Sequence, residues 1–267
     1  MDKTTMTQET YIKKIRQKKR MIRLKQIGLL ILFFGLWEIA TKLGWIDAFI
    51  FSSPSRIIRT IIDMQSDGSL WYHIGTTLWE TLISFLLVMI LGVVVALVLW
   101  MIPTLSKILE PYLVMLNSLP KSALAPLLIV WLGNGTTTII VAGISVAIFG
   151  SIITLYTGFC QMDSDKMKLI YTLGGNKQTV VTKVLLPGSI PMLISNAKVN
   201  IGLCLVGVII GEFLAAKQGL GYLIIYGSQV FKLDLVLMSI VILCIIAMGL
   251  YQMINWGEKK YFKRKTF

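Results

Sequence analysis

An all-α membrane protein with six transmembrane helices is the fold class predicted by this 267-residue sequence, and three observations lead there. Hydrophobic residues make up 55% of the chain and charged residues only 15%, against about 25% charged in soluble domains. The mean hydropathy is +0.76, and the apolar residues come in repeated runs of about twenty, the length of a bilayer crossing. The formal net charge of +13 is gathered at the chain ends beside those runs, where membrane proteins keep basic residues on the cytoplasmic side.

Residues 1–26 form a basic segment ahead of the first span, 27–46, which carries Trp37 and Trp45 toward its outer half. Residues 47–73 read as a polar connection with Pro54, Arg56, Asp63 and Asp67. The second span, about 74–100, is longer than the hydrocarbon requires and is expected to tilt. The third, 106–132, holds Pro111, Pro120 and Pro126, so a kinked or broken helix packed against protein is expected. The turn signal Gly133-Asn134-Gly135 leads into a fourth span at about 136–157. A long polar region at about 158–188 follows, then spans at 190–214 and 234–256 and a basic tail at 257–267. Pro187 is expected to separate the polar region from the fifth span.

Six crossings bring both basic ends to one side, assigned to the cytoplasm with the 158–188 region. The charge is then accounted for by topology and membrane lipid, with no nucleic acid as partner. Cys160, Cys204, Cys244 and the single His73 lack metal-ligand spacing. The first apolar run reads as a retained helix, because Gly44 to Asp47 makes a poor cleavage site. No phosphate-binding glycine-lysine loop occurs; Gly133 to Thr138 lacks the lysine that reaches nucleotide phosphates. No cofactor site is expected in the chain, and it is not expected to be an enzyme.

The most informative stretch runs from Asp163 to Pro187. Asp163 or Ser164 can cap a helix on which Met167, Ile170 and Leu173 recur at three-residue spacing. Gly174 and Gly175 break that helix and Asn176 can cap a second, with Val180, Val181, Val184 and Leu185 as its apolar face. Two short amphipathic helices about a glycine bend can lie on the membrane or enter a partner's groove.

This stretch resembles the cytoplasmic loop of binding-protein-dependent ABC transporter permeases, in which Gly174, Val184, Leu186 and Pro187 fall in register. The Glu-Ala-Ala opening of that pattern is replaced by Lys168, Leu169 and Ile170. Ser53-Pro54-Ser55, Thr76-Thr77-Leu78, Leu119-Pro120, Ala123 to Leu127, Trp131-Leu132-Gly133, Thr157-Gly158, Gly211-Glu212 and Gly219-Leu220-Gly221-Tyr222 are similar to the nitrate/sulfonate/taurine class of these permeases. The resemblance covers about 27–256. It implies a type I ABC importer permease fold with a cytoplasmic coupling-helix segment, in the inner membrane of a bacterial cell. It also implies ATP and Mg on separate ATP-binding cassette subunits, a second permease copy or homologue, and an extracytoplasmic solute-binding protein delivering a sulfonate, a nitrate-like anion or a related small organic solute. Asp163, Lys168, Ile170, Leu173, Gly174, Gly175, Val184, Leu186 and Pro187 then form the coupling surface toward the ATPase. The alternatives are an ion-gradient-driven secondary transporter and a non-transport membrane scaffold.

Other residues follow from their positions. Lys121 and Lys198 lie in apolar spans, where they snorkel to an interface or line a path for an anionic solute. Glu212, near the outer end of span five, marks an interface or shapes an outer gate. Gly207 and Gly211 permit close helix approach, within the subunit or between subunits.

Overall fold

The computed structural model describes residues 8–265, all helices and connections. The first seven residues of the basic N-terminal segment and the last two of the tail lie outside them. The chain enters through α1 (Gln8–Lys42), so most of the basic segment and the first span are one uninterrupted helix. The polar connection is largely helical, holding α2 (Ala48–Phe51) and α3 (Pro54–Ser66). The reason is local: Ser53 accepts from the Arg56 N–H as N-cap and Pro54 occupies the first turn. Polarity had hidden α3, whose Ile57 is buried while Ile58 and Ile62 stay exposed.

Next come α4 (Ser69–Met101), α5 (Pro103–Ser118) and α6 (Lys121–Leu132), the last two bent by 95° at Leu119-Pro120. The expected break is present, but Pro111 and Pro126 remain inside helices. Pro120 breaks the chain where the Leu116 carbonyl, left free by the missing N–H, finds another donor. The Ser118 hydroxyl donates to the Val114 carbonyl at 2.9 Å, and the Lys121 ammonium donates to that of Leu116.

The remaining elements are α7 (Thr136–Cys160), α8 (Ser164–Thr172), α9 (Lys177–Val180), α10 (Leu186–Ala215), α11 (Leu220–Gln229) and α12 (Leu233–Lys265). A π-helical turn at Val181–Leu185 joins α9 to α10. Pro187 therefore does not separate the 158–188 region from the fifth span, and Lys177–Ala215 is one 39-residue helical rod. The widened turn, closed by Leu186 N–H donating to Val181, leaves the proline ring clear of the carbonyl it would strike in a regular α-helix.

Helices α4, α7 and α10 form the packed centre. Small residues set the spacing: a Cβ on Gly92 would sit 2.9 Å from the Ser151 hydroxyl, and one on Gly143 2.6 Å from that of Ser84. Ala96 and Ala147 are fully buried. The same core is pinned by Asn196 and Asn200, whose amides donate to Ser151 at 2.8 and 2.9 Å. Such bonds between helices stand in for the water that the bilayer core lacks.

Among the described residues, five helices are long and apolar enough to cross a membrane alone, and the bent α5–α6 pair counts as a sixth if it is one span. Its neighbours show that it crosses. The Lys177 ammonium donates to the carbonyl of Met101 at the end of α4, and α7 leads directly into α8, so both helices end on the face of the 158–188 region. The start of α7 lies at the other face, where Asn134, Gly135 and Thr136 share a cavity with Ala215, Ala216 and Gln218.

Candidate functional site

Two places gather the singled-out residues, one at each end of the central bundle. At the first, Asp163 caps α8 by accepting from the Asp165 N–H at 3.0 Å. That bond, with Lys166 beside it, holds the Asp163 carboxyl below its ordinary value. Helix α8 ends in paired reverse bonds: Gly174 N–H donates to Tyr171 O at 3.0 Å and Gly175 N–H to Ile170 O at 2.9 Å. This closure requires the left-handed backbone of Gly174, φ +82. Gly175 is needed for space, since a Cβ there would lie 2.5 Å from Ile170 Cγ2 and 2.9 Å from its carbonyl oxygen. Asn176 then caps α9 in a reciprocal box with Thr179.

The element has an inner and an outer face. Val180 and Leu185 are fully buried, and Leu185 packs with Ala96, Leu155 and Phe159 of α4 and α7. Val184 and Leu186 are half-buried, while Pro187 is exposed. On α8, Met167 and Ile170 are half-buried, whereas Leu169, Tyr171 and Leu173 are exposed at 57%, 45% and 75%. Lys168, exposed, pairs with Asp165 at 3.3 Å. Leu169 and Leu173, four residues apart on one side of α8, form an exposed apolar pair on an otherwise polar element, joined through the Gly174-Gly175 bend to the Lys177–Ala215 rod.

At the second place, Glu212 is fully buried where α10 turns into α11. One carboxylate oxygen accepts from the Thr77 hydroxyl at 2.7 Å and the other from the Gly221 N–H at 2.5 Å. Thr77 Oγ1 in turn accepts from the Leu220 N–H at 2.8 Å, and His73 Nδ1 from the Gly219 N–H at 3.0 Å. Glu212 thus acts at a distance as the cap of α11, holding a helix N-terminus by its free N–H groups. The Gly211-Glu212, Thr76-Thr77 and Gly219-Leu220-Gly221 motifs are therefore one site. A Cβ on Gly221 would stand 2.7 Å from Glu212 Oε2, and one on Gly219, φ +111, would collide with the carboxyl group. Glu80, also buried, borders this site and a cavity of about 310 Å³ with Asn134, Thr136 and Lys217.

Gly207 and Gly211 face α7 of the same chain: their Cβ atoms would lie 2.8 Å from Ala142 O and 2.9 Å from Ile139 Cα. Lys121 serves the α5–α6 break and lies 5.3 Å from the Phe149 ring. Lys198 donates to Glu258 at 2.5 Å and Asn255 at 3.2 Å and lies 5.7 Å from the Tyr251 ring. Its charge is answered within the protein, in a clasp between the rod and α12. Replacing either Lys198 or Glu258 by methionine leaves a half-buried charge without its partner, at a cost of about 1–3 kcal/mol. Thermal unfolding of Lys198→Met, Glu258→Met and the double variant checks this. The double variant should recover part of the single losses, whereas a loss of solute affinity at unchanged stability would return Lys198 to the solute path.

Sequence reasoning missed the partners. His73 and Thr77 were visible but not connected to Glu212, and the Asn196/Asn200 pair, four residues apart in an apolar helix, was a legible signal of polar contact between helices.

A family-level comparison matches residues 88–256 to the binding-protein-dependent transport system inner membrane component family. A probable ABC transporter permease protein of Haemophilus influenzae is 29% identical over 86% of this chain and 92% of its own length. The taurine transport system permease protein of Escherichia coli is 24% identical over 83% and 82%, and the riboflavin transport system permease protein of Chloroflexus aurantiacus 28% over 86% of each. The fold is similar to that of a chain of the MetNI methionine ABC transporter in an inward-facing conformation, with a TM-score of 0.61, 19% identity and coverage of 73% and 95%. The matched stretch contains α8, the Lys177–Ala215 rod and the Glu212 turn. The chain therefore belongs to the family of binding-protein-dependent transport system inner membrane components, as a membrane permease subunit of an ABC-type importer.

Proposed function

We propose that this chain, paired with a second copy or a homologous permease, carries a small sulfonate, nitrate-like anion or related organic solute inward. Relatives named for taurine, aliphatic sulfonates, formylaminopyrimidine and riboflavin support that substrate range. An extracytoplasmic binding protein selects the solute, and ATP-binding cassette subunits supply the energy. Both chain ends and the 158–188 region face the cytoplasm, the side that the basic residues favour.

The observation that carries the reading is the exposed pair Leu169 and Leu173, one helical turn apart on α8 and joined by the glycine bend to the Lys177–Ala215 rod. It fits the helix-in-groove mode of recognition. Leu173, Gly174 and Gly175 shape the bend, Asp163 starts α8, Lys168 and Ile170 lie on opposite sides of it, and Val184, Leu186 and Pro187 lead into α10. Movement of the ATPase subunits against α8 is transmitted along Lys177–Ala215 toward the outer turn at Glu212. Co-purification with the ATPase and binding protein from neighbouring genes, followed by a screen of solutes for binding-protein-dependent ATP hydrolysis, tests this. A solute that stimulates hydrolysis only with its binding protein is the expected result. Uptake by this chain alone on an ion gradient would overturn it.

A further inference from the structure

We propose that the ends of α1 and α12 on the face of the 158–188 region form a collar that binds anionic lipid headgroups through their phosphates. The inference rests on the orientation given above, which places that face at the inner leaflet. Helix α1 has 35 residues, about 52 Å at 1.5 Å per residue, whereas the hydrocarbon is about 30 Å thick. With residues 27–46 in the hydrocarbon, the helix continues out of it through Lys25 and Arg20 in the headgroup layer. Lys18, Arg16 and Lys13 follow on the next turns. No acidic residue occurs between Glu9 and Glu38. Lys13, Arg16, Lys18, Arg20 and Lys25 are exposed, and the ion pairs among the described residues do not include them.

The protein itself does little to fix this half of α1. The helix meets α2 and α3 near its outer end, where Glu38 accepts from the Ser55 N–H at 3.1 Å. Further in, Leu29, Leu30, Leu32, Phe33 and Leu36 are all more than half exposed. The bilayer surrounds that stretch, so the layer that follows it along the helix is the headgroups. Helix α12 leaves the same face in the same way. Trp256 is 66% exposed, as an interfacial tryptophan is, the Lys260 ammonium lies 5.1 Å from its ring, and Lys259 and Lys263 are exposed beside it. Polybasic turns adjoining a membrane span attract anionic lipid by electrostatics that decay within a Debye length.

The test uses the assembled transporter in nanodiscs of equimolar phosphatidylcholine and phosphatidylglycerol, with retained lipid measured by native mass spectrometry. Wild type should retain phosphatidylglycerol over phosphatidylcholine by at least about five-fold. High salt and a variant with Lys13, Arg16, Arg20 and Lys25 all replaced by glutamine should each bring the ratio close to one. Because loss of N-terminal charge can disturb insertion, a second variant replaces only Lys259, Lys260 and Lys263 by glutamine and should lower the ratio partially. Equal retention of the two lipids by wild type, or a ratio unmoved by both variants, overturns the proposal. So does release of the ATPase subunits with unchanged lipid retention, which would assign the basic ends to an acidic protein surface. Lipid retention is read without ATP or solute, so it is distinguishable from failure of the importer reading.

Discussion

Valine at Gly175 is expected to abolish stimulation of ATP hydrolysis by the loaded binding protein, while the chain still inserts and assembles. The Cβ alone would meet Ile170 Cγ2 at 2.5 Å and its carbonyl oxygen at 2.9 Å. That carbonyl accepts the Gly175 N–H in closing α8. The backbone cannot yield without opening the closure, so α8 swings and the exposed Leu169/Leu173 pair loses its position. Gly174→Val acts differently. It has open space around it, but its left-handed backbone costs a β-branched residue about 1–2 kcal/mol. Gly174→Asn, which tolerates that conformation, should retain most coupling. The ratio of solute transported to ATP hydrolysed in reconstituted complexes separates these effects. A tenfold fall for Gly175→Val with intact assembly is expected. Normal coupling in both valine variants would sink the bend as a transmitting element.

That bend was legible in the sequence because its signals are local. Double glycine after an amphipathic turn, Asn176 as a cap and Asp163 as a starter each act within four residues. The spans were legible for a similar reason, since a run of about twenty apolar residues admits few other solvents. What escaped was decided by distant contacts. Pro120 and not Pro111 breaks the third span, and there the Lys121 ammonium takes up the Leu116 carbonyl that the missing Pro120 N–H leaves free. Pro187 fails to interrupt the rod because a π-turn widens beneath it, and periodicity does not foretell that. Lys198 drew attention as a charge in an apolar run, but its partners, Glu258 and Asn255, lie about sixty residues away in sequence. Helix α3 was hidden by its charge, although Ser53 and Pro54 announced its start. The Glu212 turn stands between these cases: each of its motifs was visible, and only packing of α4 against the α10–α11 turn joined them.

At that turn Glu212→Ala and Gly221→Ala should have the largest effects on stability, each lowering it by roughly 2–4 kcal/mol. Removal of the carboxylate leaves the Gly221 N–H buried without its acceptor and frees the Thr77 hydroxyl that positions Leu220. Alanine at Gly221 instead drives a methyl to 2.7 Å from Glu212 Oε2 and 3.1 Å from the Ile209 carbonyl, with backbone on one side and the α4 contact on the other. Glu212→Gln keeps the shape and one acceptor oxygen, so its loss should be less than half that of Glu212→Ala. Thermal unfolding of the purified complex ranks the three, and hydrogen exchange at residues 219–229 shows whether α11 loosens first. A carboxylate acting only as an outer gate would behave otherwise: Glu212→Ala would change solute flux and leave both unfolding and exchange where they were. The geometry favours the cap. Both oxygens of Glu212 are already engaged by this chain, and its side chain has no surface to offer a passing solute. On the proposed importer reading, a gate that included α11 would be controlled by what holds α11 in place, namely the end of the Lys177–Ala215 rod.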